Sequence, residues 1–337
     1  MTEARFLMLV GLAGSGKSTL AKELMQDRED TVYLSSDELR EELYNDVNNQ
    51  ENNPQVFVEM AKRTREALKS GKHVIYDATN ISRKKRQGLL QQLPKNTHKT
   101  VVYVATDYKK VIEQNESRDR VVPKGVIDLM YKNLQIPIYS EGWNHIEIVY
   151  DEETLENDLL PQFAEAVRVA VLVGREEYPY ELMEFLATYF TEFFNIHDLA
   201  QDSKYHSLSA SRHTYYVYKY VLENYKTDDN KDMEAMLWTA LLHDTGKAFC
   251  KSFVDRKGNP TRHANFIGHE HVSSQLAVKL LKQLGFDDPF IHKVATLIQF
   301  HMYLLDPNAG KEKLKRRVGE DYFKKLELLR DADNYAH

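Results

Sequence analysis

Gly11-Leu12-Ala13-Gly14-Ser15-Gly16-Lys17-Ser18-Thr19 decides how the first half of the chain is read. The stretch fits the pattern G-x-x-x-x-G-K-[ST] at every fixed position. Its glycines let the backbone curl until successive N–H groups point inward, the arrangement that cradles phosphate oxygens. Lys17 brings a cation within reach of the β/γ-phosphates, and Ser18 offers Mg²⁺ a hydroxyl ligand. The expected nucleotide-binding set is therefore Gly11, Gly14, Ser15, Gly16, Lys17, Ser18 and Thr19. The apolar run 6–10 before it predicts a buried strand, and 19–25 after it an amphipathic helix with its N-terminus facing the anion. A Gly/Ser turn that fits by chance is the alternative, and the order strand, loop, helix speaks against it.

At 337 residues the chain exceeds what one core usually supports, so two domains are expected. With 42% hydrophobic and 28% charged residues it has an ordinary globular composition. A formal net charge of −6 excludes broad, non-specific nucleic-acid binding but leaves room for a local basic groove. The single cysteine, Cys250, excludes an internal disulfide and suits a reducing, cytoplasmic setting. No signal-peptide pattern opens the chain, and apolar runs such as 166–173, interrupted by Arg168, are too short to span a bilayer. No membrane partner is expected.

Working outward from the loop, strands are predicted at 31–34, 72–76, 99–105 and 146–150, with helices at 54–70, 82–93 and 108–120 between them. This alternation predicts a mainly parallel sheet with helices on both faces, an α/β domain over residues 1–150. Asp37 and Asp77 fall just past strand ends, on the rim that carries the loop. One carboxylate can take a proton from an attacking hydroxyl while the other helps hold Mg²⁺ or orient the acceptor. The plainer alternatives are a helix cap for Asp37 and a turn residue for Asp77. Arg118 and Arg120 offer guanidinium groups that can clamp a transferring phosphoryl group, or else a solvated helix end. The basic run 82–86 is an exposed helix start or a grip for a polyanionic acceptor.

On these residues the first 150 positions resemble the 5′-hydroxyl polynucleotide kinase family of P-loop phosphotransferases. The resemblance runs through the loop, Ser36-Asp37-Glu38-Leu39-Arg40, Asp77-Ala78-Thr79-Asn80, the Arg118/Arg120 segment ahead of Val122-Pro123, and Pro137 with Glu141-Gly142. It implies ATP or another NTP with Mg²⁺, Asp37 as general base on the 5′-OH, Arg40 on the acceptor phosphate and Asp77 supporting the acceptor. Arg118 or Arg120 would be the lid arginine on the donor.

Residues 151–164 are acidic through Asp158 and contain Pro161, which reads as a linker. Beyond it, in 165–337, helical patterns dominate, and 181–194 reads as one apolar, aromatic packing helix. Ten of the 13 histidines lie from His197 onward, and histidine is the commonest transition-metal ligand. His243-Asp244-Thr245-Gly246-Lys247 ends an apolar helix, where ionisable groups are costly unless paired or metal-bound. Lys247, three and four residues on, suits a phosphate substrate beside such a pair. His213 shares a helix face with Tyr216, Val217 and Tyr220 and is expected to point inward. Of Asp331 and Asp333, two residues apart and so on opposite sides of a helix, Asp333 shares the apolar side. Separate buried histidines and capping aspartates are the plainer alternative.

His213, His243-Asp244 and Asp333 together resemble the H…HD…D pattern of the HD phosphohydrolase superfamily, an all-α, metal-dependent fold. The resemblance implies that His269 and His301 bind a second metal or the phosphate, with His206, His263 and His271 as weaker candidates. The implied metal is a transition metal (Mn²⁺, Ni²⁺, Co²⁺ or Fe), and Lys247 would steady the phosphate. Joined, the two halves are similar to bifunctional end-healing enzymes, which phosphorylate a 5′-OH and clear a 3′-phosphate or 2′,3′-cyclic phosphate so that a ligase can act. The partners expected are RNA ends, DNA ends as the alternative, an NTP and a downstream ligase. A small-molecule kinase fused to a nucleotidase, an ATP-gated HD regulator and a scaffold with degenerate sites are the other readings.

Overall fold

Alternating apolar runs and amphipathic stretches fold the first half into β1 (Arg5–Val10), α1 (Lys17–Met25), β2 (Thr31–Ser35), α2 (Ser36–Tyr44), α3 (Asn53–Lys69), β3 (His73–Asp77), α4 (Arg83–Leu90), β4 (His98–Ala105), α5 (Tyr108–Glu116), α6 (Lys124–Asn133) and β5 (His145–Tyr150). The computed structural model describes residues 4–26, 30–49, 51–118, 120–156, 159–174, 180–203 and 207–336. The chain divides into two compact units, Met1–Asp151 and Glu152–His337.

In the first unit the sheet order is β2-β3-β1-β4-β5, with every pair parallel. β1 is central and reads as a continuous apolar run because helices cover both faces; Phe6, Met8, Leu9 and Val10 are all buried. Leu9, Ala21, Ile75, Val102 and Val104 form one core cluster that fastens α1 to the sheet. The register pairs Leu9 with Asp77 and Asp77 with Ser35, so the carboxyl ends of β1, β2 and β3 are level. That levelling sets the loop, Asp37 and Asp77 on one rim, at a point where the strand order switches direction. α6, between Pro123 and Leu134, is a helix that the sequence reading did not anticipate.

The second unit contains α7 (Glu152–Glu156), α8 (Pro161–Val173), α9 (Glu181–Tyr189), α10 (Thr191–Phe194), α11 (Ala210–Asn224), α12 (Asn230–Leu242), α13 (Lys247–Cys250), β6 (Ser252–Val254), β7 (Pro260–Asn265), α14 (His269–Gln283), α15 (Asp288–Phe300), α16 (Lys311–Val318) and α17 (Glu320–Tyr335). Its body is helical, with one addition, the antiparallel ribbon β6-β7. α12 is buried from Ala235 to Leu242, with Trp238 fully enclosed, and packs against α8, α11, α14 and α15. A helix apolar on all sides must sit at the centre.

Two sequence expectations change here. The stretch 151–164, expected as a linker, carries helix at both ends of its described residues: α7 packs on α14, Thr154 is buried, and Pro161 opens α8 at the position where a missing N–H costs nothing. The expected helix 181–194 is broken at Phe190, whose backbone is extended (φ −126°, ψ 122°). Leu186, Phe190 and Phe193, spaced i, i+4 and i+7, are all buried on either side of the break.

Candidate active sites

In the first unit, Gly14 and Gly16 both adopt φ +87°, a left-handed conformation that an L side chain resists. At Gly14 a Cβ would also stand 2.8 Å from the Val111 carbonyl. The loop is tied down by Gly11 N–H donating to the Thr79 carbonyl (3.1 Å) and by Thr106 Oγ1 donating to the Ser15 carbonyl (2.8 Å). Lys17 folds over the loop and donates to the Leu12 carbonyl and to Ser15 Oγ (3.3 Å). Burial lowers its pKa to about 8; Asp77 opposes this, the Arg118 charge reinforces it, and Asp37 opposes it.

Asp77 is buried, and its Oδ2 accepts from Ser18 Oγ and from Tyr33 OH, both at 2.7 Å. The carboxylate thus stands on the loop serine that can ligate Mg²⁺. Tyr33, half-buried beside it, was not singled out in the sequence. Its phenol is pushed up by burial and by the Asp77 charge and stays a donor.

Asp37 does not cap α2. Ser35 does, its Oγ accepting from the N–H groups of Asp37 (3.3 Å) and Glu38 (3.5 Å). The Asp37 carboxylate is left 41% exposed, gripped at Oδ1 by Arg40 Nη1 (2.6 Å) and Arg120 Nη1 (2.8 Å). Arg40 itself is buried and donates to Asn53 Oδ1 (2.6 Å) and the Ser36 carbonyl (3.2 Å). The two arginines of the 118–120 segment therefore differ. Arg120 holds Asp37 and donates to Asn48 Oδ1 (2.9 Å), whereas Arg118 is exposed and forms no ion pair among the described residues.

Lys17, Asp37, Arg40, Asp77, Arg118 and Arg120 line one cavity of about 1350 Å³, together with Gly14, Gly16, Ser18 and Thr19. Gly11 and the buried Ser15 lie behind it. The cavity continues past Asp37 between α3 and α4, where Phe57, Val58, Lys85 and Gln92 face it. The basic run 82–86 is only partly what either sequence reading supposed. Arg83 and Arg86 are buried on the equally buried Glu141, at 3.4 Å and 2.6 Å, while Lys84 and Lys85 face out. Glu141 lies 55 residues from Arg86, so nothing local could reveal the pairing.

In the second unit, helix ends converge. α11 supplies His213, α17 Asp333, the end of α12 His243 and Asp244, the start of α14 His269 and the end of α15 His301. His213 Nε2 lies 3.1 Å from Asp333 Oδ1 and 3.4 Å from Asp244 Oδ2. His243 Nε2 is 3.3 Å from Asp244 Oδ2, and His269 Nε2 is 3.2 Å from Asp244 Oδ1. The Nε2 atoms of His269 and His301 are 3.3 Å apart, and Lys247 Nζ stands 2.6 Å from Asp244 Oδ2.

Each of the four rings has Nδ1 on a backbone carbonyl: Ala336 for His213 (2.6 Å), Ala240 for His243 (2.7 Å), Phe266 for His269 (2.9 Å) and Ile298 for His301 (2.6 Å). A carbonyl only accepts, so Nδ1 carries the proton and Nε2 presents its lone pair inward, the tautomer of a metal-ligating histidine. Four such nitrogens and two carboxylates meet with Lys247 as their only cation among the described side chains. Buried His243 Nε2 has no hydrogen-bond partner among the described residues. Burial pushes His243 down, yet Asp244 and Asp333 outweigh it and its pKa rises; Asp244, despite burial, is held well below the carboxylate range by His243 and Lys247. The cluster asks for positive charge. His213, His243 and Asp333 form one group of three donors within 4.8 Å of one another, and His243, Asp244 and His301 a second. Such imidazole-rich N/O sets fit a transition metal better than Mg²⁺.

Asp331 is exposed and pairs with Arg330 (2.7 Å), leaving Asp333 as the inward aspartate. Tyr216 is exposed, so the inward face of α11 runs through His213, Val217 and Val221 instead. His263 sits exposed on β7, His271 pairs with Glu270 (3.7 Å), and His206 lies outside the described residues. Gln201 was missed: buried, it accepts from Lys247 Nζ at 2.7 Å. Gly246 was also missed. A Cβ there would stand 2.6 Å from the His269 carbonyl, so only glycine lets the Asp244–Lys247 turn lie against α14.

A phosphate loop on a parallel sheet, with a carboxylate on its serine, defines a P-loop domain of kinase-like build; the histidine and aspartate cluster within a helical unit defines an HD-type domain. The comparisons with known proteins agree. The AAA domain model matches residues 6–137 and the HD domain model residues 196–337, so the chain is a fusion of a kinase-like P-loop domain with an HD domain. It is 26% identical over 172 residues to the L-seryl-tRNA(Sec) kinase of Methanococcus maripaludis, a match covering 47% of this chain and 64% of that protein. The chain thus spans just under two thirds of that relative's length. A chain in the solved structure described as "Structure of Pnkp1/Rnl/Hen1 complex" matches 36% of this chain and 40% of its own length at 22% identity, with a TM-score of 0.31, too slight a likeness to bear on function. Among the described residues no helix is long and apolar enough to cross a membrane.

Proposed function

We propose that the chain heals broken nucleic-acid ends. Its P-loop domain would phosphorylate 5′-hydroxyl ends of RNA or DNA from ATP or another NTP with Mg²⁺. Its HD domain would remove a 3′-phosphate or 2′,3′-cyclic phosphate, leaving ends for a ligase. The observation that carries the kinase half is the partly exposed Asp37 carboxylate, held by Arg40 and Arg120 in a cavity that begins at the phosphate loop and runs on between α3 and α4. An acceptor hydroxyl beside Asp37 can lose its proton there while Arg40 and Lys85 meet the acceptor's phosphates. Arg118 is left to the donor, and Asp77 orients Ser18 for the metal.

In the HD half, His213, His243, Asp244, His269, His301 and Asp333 would hold a transition metal, which supplies Lewis acidity toward the phosphoester and its attacking water. Lys247, paired with Asp244 and Gln201, would meet the phosphate.

A second reading has a specific support: the name of the seryl-tRNA relative points to a hydroxyl carried on an aminoacyl-tRNA as kinase acceptor. An end-group assay decides. Defined RNA and DNA oligomers with 5′-OH, 3′-phosphate and 2′,3′-cyclic ends, together with seryl-tRNA and free nucleosides, are incubated with the wild-type chain, Lys17→Ala and Asp244→Ala. The proposal expects 5′-phosphorylation to vanish in Lys17→Ala alone and 3′-end release to vanish in Asp244→Ala alone. Transfer to seryl-tRNA or nucleosides but not to 5′-OH ends would overturn the kinase half.

A further inference from the structure

The ribbon β6-β7 leaves the HD site and returns to it. β6 follows α13, which opens with Lys247, and β7 ends four residues before His269. Phe266, between β7 and α14, lies with its ring 5.4 Å from the Lys247 ammonium, and its carbonyl accepts a hydrogen bond from His269 Nδ1. The base is pinned by Ala264 N–H on the Asp202 carbonyl (3.0 Å) and by Lys251 Nζ on Asp202 Oδ2 (2.6 Å).

In a chain of net charge −6, residues 251–263 carry four cations against one carboxylate. That carboxylate, Asp255, is spent inside the turn, accepting from the N–H groups of Lys257 (2.8 Å) and Asn259 (2.9 Å). Lys251 is tied to Asp202. Arg256, Lys257 and Arg262 are exposed and form no ion pair among the described residues. Near them in sequence Phe253 is 46% exposed, its ring centroid 5.9 Å from Lys251 Nζ, so the ribbon presents an aromatic face together with cations.

We infer that this ribbon is a binding site for single-stranded polynucleotide, holding the strand whose 3′ end enters the HD site. The inference rests on the reading of that site as one that acts on nucleic-acid ends. An exposed ring interleaved with unpaired cations matches bases and phosphates together, whereas an acidic peptide would use the cations and leave the ring idle. The attachment at Lys247 and His269 gives the strand a direction, because a phosphate beside Lys247 has its neighbouring nucleotides along the ribbon. The HD half accordingly prefers a strand end to a free nucleotide.

The test uses the full chain as wild type, R256E/K257E/R262E and F253A, with metal supplied. The substrates are a 12-nucleotide RNA bearing 5′- and 3′-phosphates, and 3′-AMP. Binding of the labelled RNA, and of a glutamate-rich peptide of equal charge, is followed by anisotropy across a salt series. The triple variant is expected to raise KM and Kd for the RNA at least tenfold, with kcat and the turnover of 3′-AMP unchanged. Its log–log salt slope should flatten by about 2, the loss of three phosphate contacts to a single strand. F253A is expected to weaken RNA binding about fivefold or more. Unchanged RNA binding, equal losses on RNA and 3′-AMP, or peptide binding as tight as RNA and equally ribbon-dependent would each overturn the proposal. If neither substrate releases phosphate, the end-healing reading fails while the anisotropy series still decides the ribbon.

Discussion

Burial brings the Lys17 amine to about 8, against an ordinary value of 10.5. In the nucleotide-free chain the ammonium is complete below that pH and is lost as pH rises through it. Polyphosphate prefers the ammonium, so ATP affinity should be full below about pH 8 and weaken above it, by up to about tenfold per pH unit. Isothermal titration between pH 6.5 and 9.5 checks this, and Lys17→Arg, which keeps its charge, should flatten the profile. Asp37 makes a different demand. Asp37→Asn should keep nucleotide affinity while lowering kcat by about 10²–10⁴, the range for loss of a general base. A drop confined to KM would instead make Asp37 an anchor for Arg40 and Arg120. Both residues were legible in the sequence because a motif or a strand end marked them. Tyr33 and Gln201 were not, because a lone tyrosine or glutamine carries no sign of the buried carboxylate or ammonium it will meet.

Elements show why local reading reaches only so far. The sheet and most of its helices could be read from pattern, since the central β1 is a near-continuous apolar run and the covering helices are amphipathic. Arg83 and Arg86 were misjudged because their partner arrives from far along the chain. Glu141 accepts from Arg86 Nε (2.7 Å) and Nη2 (2.6 Å), and also from Trp143 Nε1 (3.1 Å). Glu141→Ala would remove the carboxylate from the buried Arg86 guanidinium, so a loss of about 3–5 kcal/mol is expected. Urea unfolding followed by tryptophan fluorescence measures it directly, because Trp143 touches the altered site. In the HD unit the apolar α12 predicted a centre, and its terminal His243-Asp244 predicted what sits there. The ring orientations were invisible. Three of the four Nδ1 partners lie only three residues upstream, at Ala240, Phe266 and Ile298, but no side chain marks a carbonyl as an acceptor.

At the scale of the whole molecule, the HD cluster gathers acceptors that repel one another unless a cation stands among them. Chelation should therefore lower the thermal transition of the HD unit. A metal present at 100 times its Kd contributes about 2.7 kcal/mol, and that amount should return on adding Mn²⁺. Calorimetry of the full chain with and without chelator checks this, and Asp244→Ala should be blind to the chelator. Two contacts in that cluster join distant parts of the chain. His213 holds Asp333 and the Ala336 carbonyl, 120 and 123 residues away. During synthesis, then, His213 waits on the order of ten seconds for Asp333 and Ala336 at ordinary elongation rates. A chain broken off before Asp333 could form most of its helices yet lack both the carboxylate and the carbonyl that fix the His213 ring. Metal retention would thus separate chains that carry Asp333 and Ala336 from those broken off before them.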